Sequence, residues 1–188
     1  MSSSKSIFEL STKTVVVIGI GAVLYGLLSY VTNFVPVAGN SLRPAISVLT
    51  LIGAMFGPLV GFFVGTFGAM INDLFSGQIW LHWNIGNGII GIFAGLVFLM
   101  KDFDVNRGQV RTKHYLWVVL YGLVGNIVGL TAAALVDVAM GTPFATAVVS
   151  WAIVPALVNV VWVATLGLLL IAAFARRKSG HTDLEIGK

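Results

Sequence analysis

The feature that most constrains the fold is the distribution of basic residues between long apolar runs. Counted along the chain, ten of the eleven Lys and Arg residues fall on one side of these runs, and only Arg43 falls on the other. Membrane proteins carry such an excess of Lys and Arg in their cytoplasmic loops. The pattern therefore predicts a polytopic membrane protein with both termini in the cytoplasm. The ten residues on the predicted cytoplasmic side are Lys5, Lys13, Lys101, Arg107, Arg111, Lys113, Arg176, Arg177, Lys178 and Lys188.

The composition agrees with a chain whose solvent is lipid. Hydrophobic residues make up 57% of the chain and charged residues only 10%, whereas a soluble domain has about 25% charged residues. The net charge of +4 is carried by segments next to the membrane, so it does not call for a nucleic-acid partner. The chain has no cysteine, which excludes thiolate metal sites and cysteine nucleophiles.

Apolar runs and turn-forming residues predict an all-α integral membrane bundle of six transmembrane helices. We interpret the first run as a retained span rather than a signal peptide. The second run is short for a full crossing, with Pro44 at its first position and a tight Gly57-Pro58 turn after it. Residues 1–178 are expected to form one domain, and residues 179–188 an unstructured, polar cytoplasmic tail. The predicted spans cover about 14–34, 44–56, 58–74, 84–100, 114–137 and 145–175.

Small residues recur at helical spacing in several spans, most regularly in the first. Gly19, Ala22 and Gly26 lie on one stripe of that helix, and such stripes let membrane helices approach to backbone contact. Packing within the bundle is one use of this pattern. The other is contact with a partner protein, for which the stripe of the first span is the best candidate.

Polar and aromatic side chains are concentrated in the outer half of the predicted bundle. Asn84 and Asn87 share one helix face, as do Asn159 and Trp162. Interhelical amide hydrogen bonds and interfacial tryptophans would explain single cases. For the whole set we favour an outward-facing cavity that binds a neutral or zwitterionic solute, with residues 33–43 as its gate. The candidate binding residues are Asn33, Asn40, Arg43, Asp73, Trp80, His82, Trp83, Asn84, Asn87, Asn126, Trp151, Asn159 and Trp162.

Other functions lack their characteristic residues. The chain has no Walker motif for ATP and no arginine ladder of a voltage sensor. Asp73 and His82 are candidates for an acid–base pair, but nothing nearby supplies a nucleophile or a metal cluster. We therefore expect no enzymatic activity, no metal and no cofactor.

The stretch FGPLVGFFVGTFGAMINDLFSG, from Phe56 to Gly77, carries a family resemblance. With six spans and internal termini, it resembles the substrate-binding S component of energy-coupling factor (ECF) vitamin transporters. The resemblance implies that a vitamin is captured in an outward pocket built from outer loops and spans four to six. It also implies docking on a transmembrane coupling subunit through an A-x-x-x-A motif, matched here by Ala22-x-x-x-Gly26. Two cytoplasmic ATPases would then topple the S component in a bacterial cell membrane and release the vitamin inside.

The identity of the vitamin is less constrained. The region from Gly57 to Leu96 is similar to the cobalamin subgroup, and many glycines with few charges would suit a large, mostly neutral ligand. Cobalamin is therefore the first expectation. Riboflavin, queuosine and pyrimidine-precursor members of the family stay open, as does a stand-alone small-solute permease.

Overall fold

A computed structural model describes residues 11–32, 36–37, 40–41 and 43–186, with side chains for 11–32 and 43–177. The described part is a bundle of α-helices, which confirms the predicted all-α membrane class. Its helices before the last span are α1 (Thr12–Thr32), α2 (Ile46–Phe56), α3 (Pro58–Ser76), α4 (Leu81–Gly95) and α5 (Thr112–Ala139). The last span is a helical run made of a π-helix (Ala145–Ile153), α6 (Val154–Trp162), a second π-helix (Val163–Gly167) and α7 (Leu168–Ile186).

Among the described residues, five helical segments are long and apolar enough to cross a membrane: Thr12–Thr32, Pro58–Ser76, Leu81–Leu99, Thr112–Ala139 and Ala145–Arg177. The predicted second span is different, because α2 has only 11 residues. At 1.5 Å per residue it is about 16 Å long, against about 30 Å of hydrocarbon. Its side chains are enclosed by the other helices, with Leu49 completely buried and Ile46 1% exposed. The sixth helix of the bundle is thus a short core helix.

The ends of α2 are set by proline and glycine. Pro44 is not its first residue as predicted, but lies in a tight turn in which the amides of Ile46 and Ser47 bond to the carbonyls three residues before them. At the other end Gly57 has a φ of 96°, which favours glycine. Pro58 then begins α3. The predicted Gly57-Pro58 turn is confirmed.

Glycines bring α3 and α4 into backbone contact. A Cβ atom on Gly61 would collide with the Gly91 carbonyl group, and one on Gly65 would collide with the Asn87 carbonyl group. Only residues without side chains permit this approach. These glycine stripes therefore serve packing within the bundle.

The stripe on α1 also faces inward, which corrects the expected partner contact. Ala22 is 3% exposed. A Cβ atom on Gly26 would lie 2.6 Å from the Gly68 carbonyl oxygen and 2.7 Å from the Ile71 Cβ atom. Both residues thus pack α1 onto α3. Gly19 is different, because it is exposed and a Cβ atom there would meet nothing within 4 Å.

The loop between Leu99 and Thr112 is folded and closes one end of the bundle. This end carries most of the basic residues and is called here the basic end. Asp104 pairs with Gln109 in an antiparallel bridge, and Phe103 and Val105 are buried. Asn106 donates a hydrogen bond from Nδ2 to the Met55 carbonyl oxygen over 3.3 Å, which satisfies a carbonyl at the end of α2. The loop therefore packs against the core and covers it at this end.

The last span departs from regular α-helix on both sides of Pro155. The first π-helix ends at Ile153, just before this proline, and the second follows α6. Proline cannot donate the regular helical hydrogen bond, so a change of helix type beside it has a local cause. The backbone is helical to Ile186, where a disordered tail was expected, and residues 187 and 188 lie outside the described residues.

The predicted gate contains a short hairpin. Strand β1 (Pro36–Val37) pairs antiparallel with β2 (Asn40–Ser41), with Pro36 opposite Ser41. Asn33 lies outside the described residues. The backbone of Asn40 belongs to β2, but its side chain is likewise outside the description.

Candidate substrate-binding site

A cavity of about 570 Å³ lies at the end of the bundle opposite the basic end. It is bounded by the last turns of α1, α3 and α5, the first turns of α4, and the first half of the last span. Eight of the predicted binding residues line it together, and we call this space the cavity and this end the cavity end. The eight are Arg43, Asp73, Trp80, Trp83, Asn84, Asn87, Trp151 and Asn159.

Asn87 is held on the cavity wall by two hydrogen bonds. Its Nδ2 donates to the Trp83 carbonyl oxygen over 2.9 Å, and its Oδ1 accepts from the Tyr25 hydroxyl over 2.6 Å. Because a backbone carbonyl can only accept, this arrangement fixes which end of the amide faces α1. Asn87 and Tyr25 are both buried, so the amide is rigidly oriented.

Asp137, near the end of α5, positions two aromatic rings of α4. Its Oδ1 lies 2.9 Å from His82 Nε2, and its Oδ2 accepts from Trp83 Nε1 over 2.8 Å. Both carboxylate oxygens are thus engaged although the residue is only 6% exposed. The indole of Trp83, which lines the cavity, cannot turn without losing this bond.

A chain of amides supports the opposite wall. Asn126 Nδ2 donates to the Gly122 carbonyl oxygen over 2.8 Å, and Asn159 Nδ2 donates to Asn126 Oδ1 over 2.8 Å. The nitrogen of Asn159 is therefore used inside the protein, and its orientation on the cavity wall is fixed.

Three predicted residues do not line the cavity. Asn126 is completely buried and bonded to Asn159, and the partly exposed His82 bonds to Asp137 outside the lining of the cavity. The indole of Trp162 packs against the hydrophobic core instead, while its carbonyl oxygen accepts from the Ser47 hydroxyl over 3.1 Å. His82 also pairs with Asp137 and not with Asp73, whose Oδ2 accepts from the Trp80 amide over 2.9 Å.

Two amides on the wall retain buried polar atoms with no partner among the described residues. Neither Oδ1 nor Nδ2 of Asn84 has a hydrogen bond, and Asn84 exposes none of its surface. Oδ1 of Asn72 is also unpaired. Leaving such groups unpaired in a buried site costs about 1–3 kcal/mol each. A bound solute or ordered water that offers hydrogen bonds in the cavity would remove this cost.

The sequence pointed to eight residues of the wall but missed the other nine. Asp137 stands at the end of an apolar helix, where a carboxylate is itself a signal of a buried functional group. Tyr25 gave no signal, because its hydrogen bond to Asn87 depends on which helix packs against α1. The further lining residues include Tyr25, Ser29, Asn72, Asp137, Met140 and Thr142.

The wall of the cavity carries several kinds of polar and aromatic group. It offers amides, indoles, two carboxylates and the Arg43 guanidinium. Within the part of the chain that the structure describes, no group of three or more His, Asp or Glu residues could hold a metal ion. The fold and the cavity together define a multi-pass membrane protein with a solute-sized cavity in one end of a helix bundle.

Comparison with known proteins agrees with this class and gives the family. The sequence profile of the ECF-type riboflavin transporter, S component, matches residues 9–176. The chain belongs to this family of ECF S components, as the sequence resemblance indicated. No solved structure matches it.

Similar proteins occur in Vibrio and Aliivibrio species. A UPF0397 protein of Vibrio atlanticus (strain LGP32) is 38% identical over 177 residues, covering 93% of this chain and 97% of that protein. A UPF0397 protein of Aliivibrio salmonicida (strain LFI1238) is 37% identical over 178 residues, with 94% and 97% covered. One from Aliivibrio fischeri (strain MJ11) is 36% identical over 179 residues, also with 94% and 97% covered.

Proposed function

We propose that this chain is the substrate-binding subunit of an ECF-type importer and captures a vitamin in the cavity. The observation that carries the proposal is Asn84, a fully buried amide on the cavity wall whose donor and acceptor both lack partners. Native proteins pair nearly all such groups. The missing partner is therefore best supplied by a bound solute.

The size of the cavity favours a compact vitamin. Its volume of about 570 Å³ lies within the range of about 300–1,000 Å³ that encloses a drug-sized ligand. Riboflavin, named in the matching family profile, is of that size. A corrinoid is far larger, so most of a cobalamin molecule would remain outside. We therefore place riboflavin or a vitamin of similar size ahead of cobalamin.

The closed basic end supports capture rather than a continuous pathway. Phe103 of the loop at the basic end is completely buried, and Asn106 of the same loop bonds to the end of α2. Release on that side therefore needs a large movement of the subunit. In this proposal the movement is driven by two cytoplasmic ATPases through a transmembrane coupling subunit in the cell membrane. The chain itself has no ATP-binding motif.

Ligand retention tests the proposal directly. The full chain is purified in lipid nanodiscs, incubated separately with riboflavin and with cyanocobalamin, washed, and analysed by absorbance and mass spectrometry. We expect retention of riboflavin close to one molecule per chain and no comparable retention of cyanocobalamin. Retention of neither compound would contradict the proposed vitamin, and retention of cyanocobalamin alone would reverse the preference.

A matched pair of variants ties retention to the cavity. Ala69 lines the cavity on α3, whereas Ala164 is exposed on the last span. Ala69→Phe should fill part of the cavity and abolish retention, while Ala164→Phe should retain riboflavin as the unchanged chain does.

Liposomes that contain the chain alone separate the proposal from a stand-alone permease, because we expect binding there without net accumulation of riboflavin.

A further inference from the structure

The asparagines of the bundle differ in how their amides are satisfied. Asn87 uses both amide atoms, with Tyr25 and with the Trp83 carbonyl group. Asn126 likewise uses both. Asn159 uses its nitrogen. The protein therefore supplies partners for the amides that shape the two walls.

Asn84 stands apart from this arrangement. It is one helical turn before Asn87 on the same face of α4, and it lines the same cavity. Both its Oδ1 and its Nδ2 lack a partner although the residue is completely buried. An amide that presents a free donor beside a free acceptor is complementary to a ligand edge with the opposite pair.

We propose that Asn84 recognises the ligand by two parallel hydrogen bonds to an adjacent N–H and C=O on one edge of a planar heterocycle. This inference rests on the proposed function and specifies the chemistry of the solute. A lactam or imide edge offers both groups and therefore satisfies both amide atoms of Asn84 at once. Asparagine binds the donor–acceptor edge of adenine through two parallel hydrogen bonds in the same way. A carboxylate would satisfy only Nδ2 and leave Oδ1 buried and unpaired. A single hydroxyl can donate to Oδ1 and accept from Nδ2, but it gives no pair of parallel bonds and so does not fix the orientation of a ring.

The surroundings of Asn84 suit a flat ring. Trp80, Trp83 and Trp151 line the same cavity, and indoles give apolar, stacking contacts to aromatic ligands. The Trp83 ring is fixed by its hydrogen bond to Asp137. Two parallel hydrogen bonds to Asn84 form only when the ring is held in one orientation. Contacts with these indoles would hold a planar heterocycle in that way.

Two flavins provide the test. Riboflavin has an imide N–H between two carbonyl groups, and 3-methylriboflavin has a methyl group in place of that hydrogen. Their dissociation constants are measured by quenching of flavin fluorescence on the full chain in nanodiscs. We expect the unchanged chain to bind riboflavin at least about tenfold more tightly than 3-methylriboflavin, because a site built for an N–H rejects the analogue that lacks it.

Variants at Asn84 show whether this residue makes the distinction. Asn84→Ala removes both amide atoms and leaves room for the methyl group, so the ratio of the two constants should fall to about one. Asn84→Leu fills the space of the amide with an apolar side chain and should also lose the preference for riboflavin over 3-methylriboflavin. This variant replaces Asn84→Ala in the test if the alanine variant does not fold. Asn106→Ala is the matched control in the basic loop, where the preference should remain unchanged.

The outcomes separate this inference from the proposed function. Riboflavin binding with equal affinity for both flavins, or with an unchanged ratio in Asn84→Ala, would overturn the role of Asn84 and leave the vitamin-binding function standing. Absence of riboflavin binding by the unchanged chain would overturn both the role of Asn84 and the choice of riboflavin, and it would overturn the vitamin-binding function as well if cyanocobalamin is not retained either.

Discussion

The Tyr25 hydroxyl donates a 2.6 Å hydrogen bond to Asn87 Oδ1, although the two residues are 62 positions apart. The bond joins α1 to α4 at the cavity wall, and both side chains are buried. A displacement of α1, from whatever cause, would therefore act directly on a residue that lines the cavity.

Loss of this hydroxyl should weaken both the fold and the site. Tyr25→Phe leaves Asn87 Oδ1 buried without a partner, at a cost of about 1–3 kcal/mol in the free energy of unfolding. Unfolding by denaturant in detergent measures this change. Tyr121→Phe is the matched control, because Tyr121 is only half-buried and stacks on Trp117. Equal stabilities of the two variants would show that the Tyr25 bond contributes nothing.

The bond between Trp83 and Asp137 should be measurable as an energetic coupling. Trp83→Phe removes the indole N–H, and Asp137→Asn removes the charge of its acceptor. Because each change disrupts the same interaction, their effects on riboflavin affinity should not add, with a coupling of about 0.5–3 kcal/mol. A double-mutant cycle by titration calorimetry gives this value. Additive effects would mean that the two residues act on the ligand independently.

Two glycines of α1 should respond to substitution in opposite ways. Gly26→Leu places a Cβ atom against the Gly68 carbonyl oxygen, so α1 must move away from α3 and the melting temperature should fall strongly. Gly19→Leu meets open space and should change neither the melting temperature nor riboflavin affinity.

The same pair addresses docking on the coupling subunit. If the exposed face of α1 around Gly19 makes that contact, Gly19→Leu should reduce vitamin uptake by proteoliposomes that contain the complete ECF module. Normal uptake with Gly19→Leu would place the contact elsewhere on the subunit.

The loop at the basic end should lose stability in acid. A hydrogen bond from Lys113 is the main cause that lowers the pKa of Asp102 from 3.8 to about 2, and the two side chains form an ion pair. Since the folded pKa is below the unfolded one, the contribution is complete above about pH 4 and is lost as the pH falls through 2. Asp102→Asn should therefore lower the melting temperature slightly at pH 7 and not at pH 2. A difference independent of pH would exclude the carboxylate charge as its source.

Local sequence signals predicted the frame of the bundle well. The Gly57-Pro58 turn is where the sequence places it, because φ preference and the missing proline N–H act within a few residues. The shared face of Asn84 and Asn87 follows from helical spacing alone, and both residues line the cavity.

Tertiary partners could not be predicted in the same way. Ala22 and Gly26 form a small-residue stripe whether the neighbouring helix belongs to the same chain or to another, so the sequence left their use open. His82 was paired with Asp73, its near neighbour in sequence, whereas its partner is Asp137, 55 residues away. Such contacts depend on which helices become neighbours, and one sequence does not encode that in any local pattern.

The shortness of α2 has a consequence for how this chain holds a solute. Its 11 residues span only about half the thickness of the hydrocarbon layer, and Arg43, just before it, already lines the cavity. The cavity thus begins where this short helix begins, and in our proposal the bound solute takes the space beside its first turn. Specificity can then diverge among relatives through the side chains around that space, while the remainder of the scaffold keeps its shape.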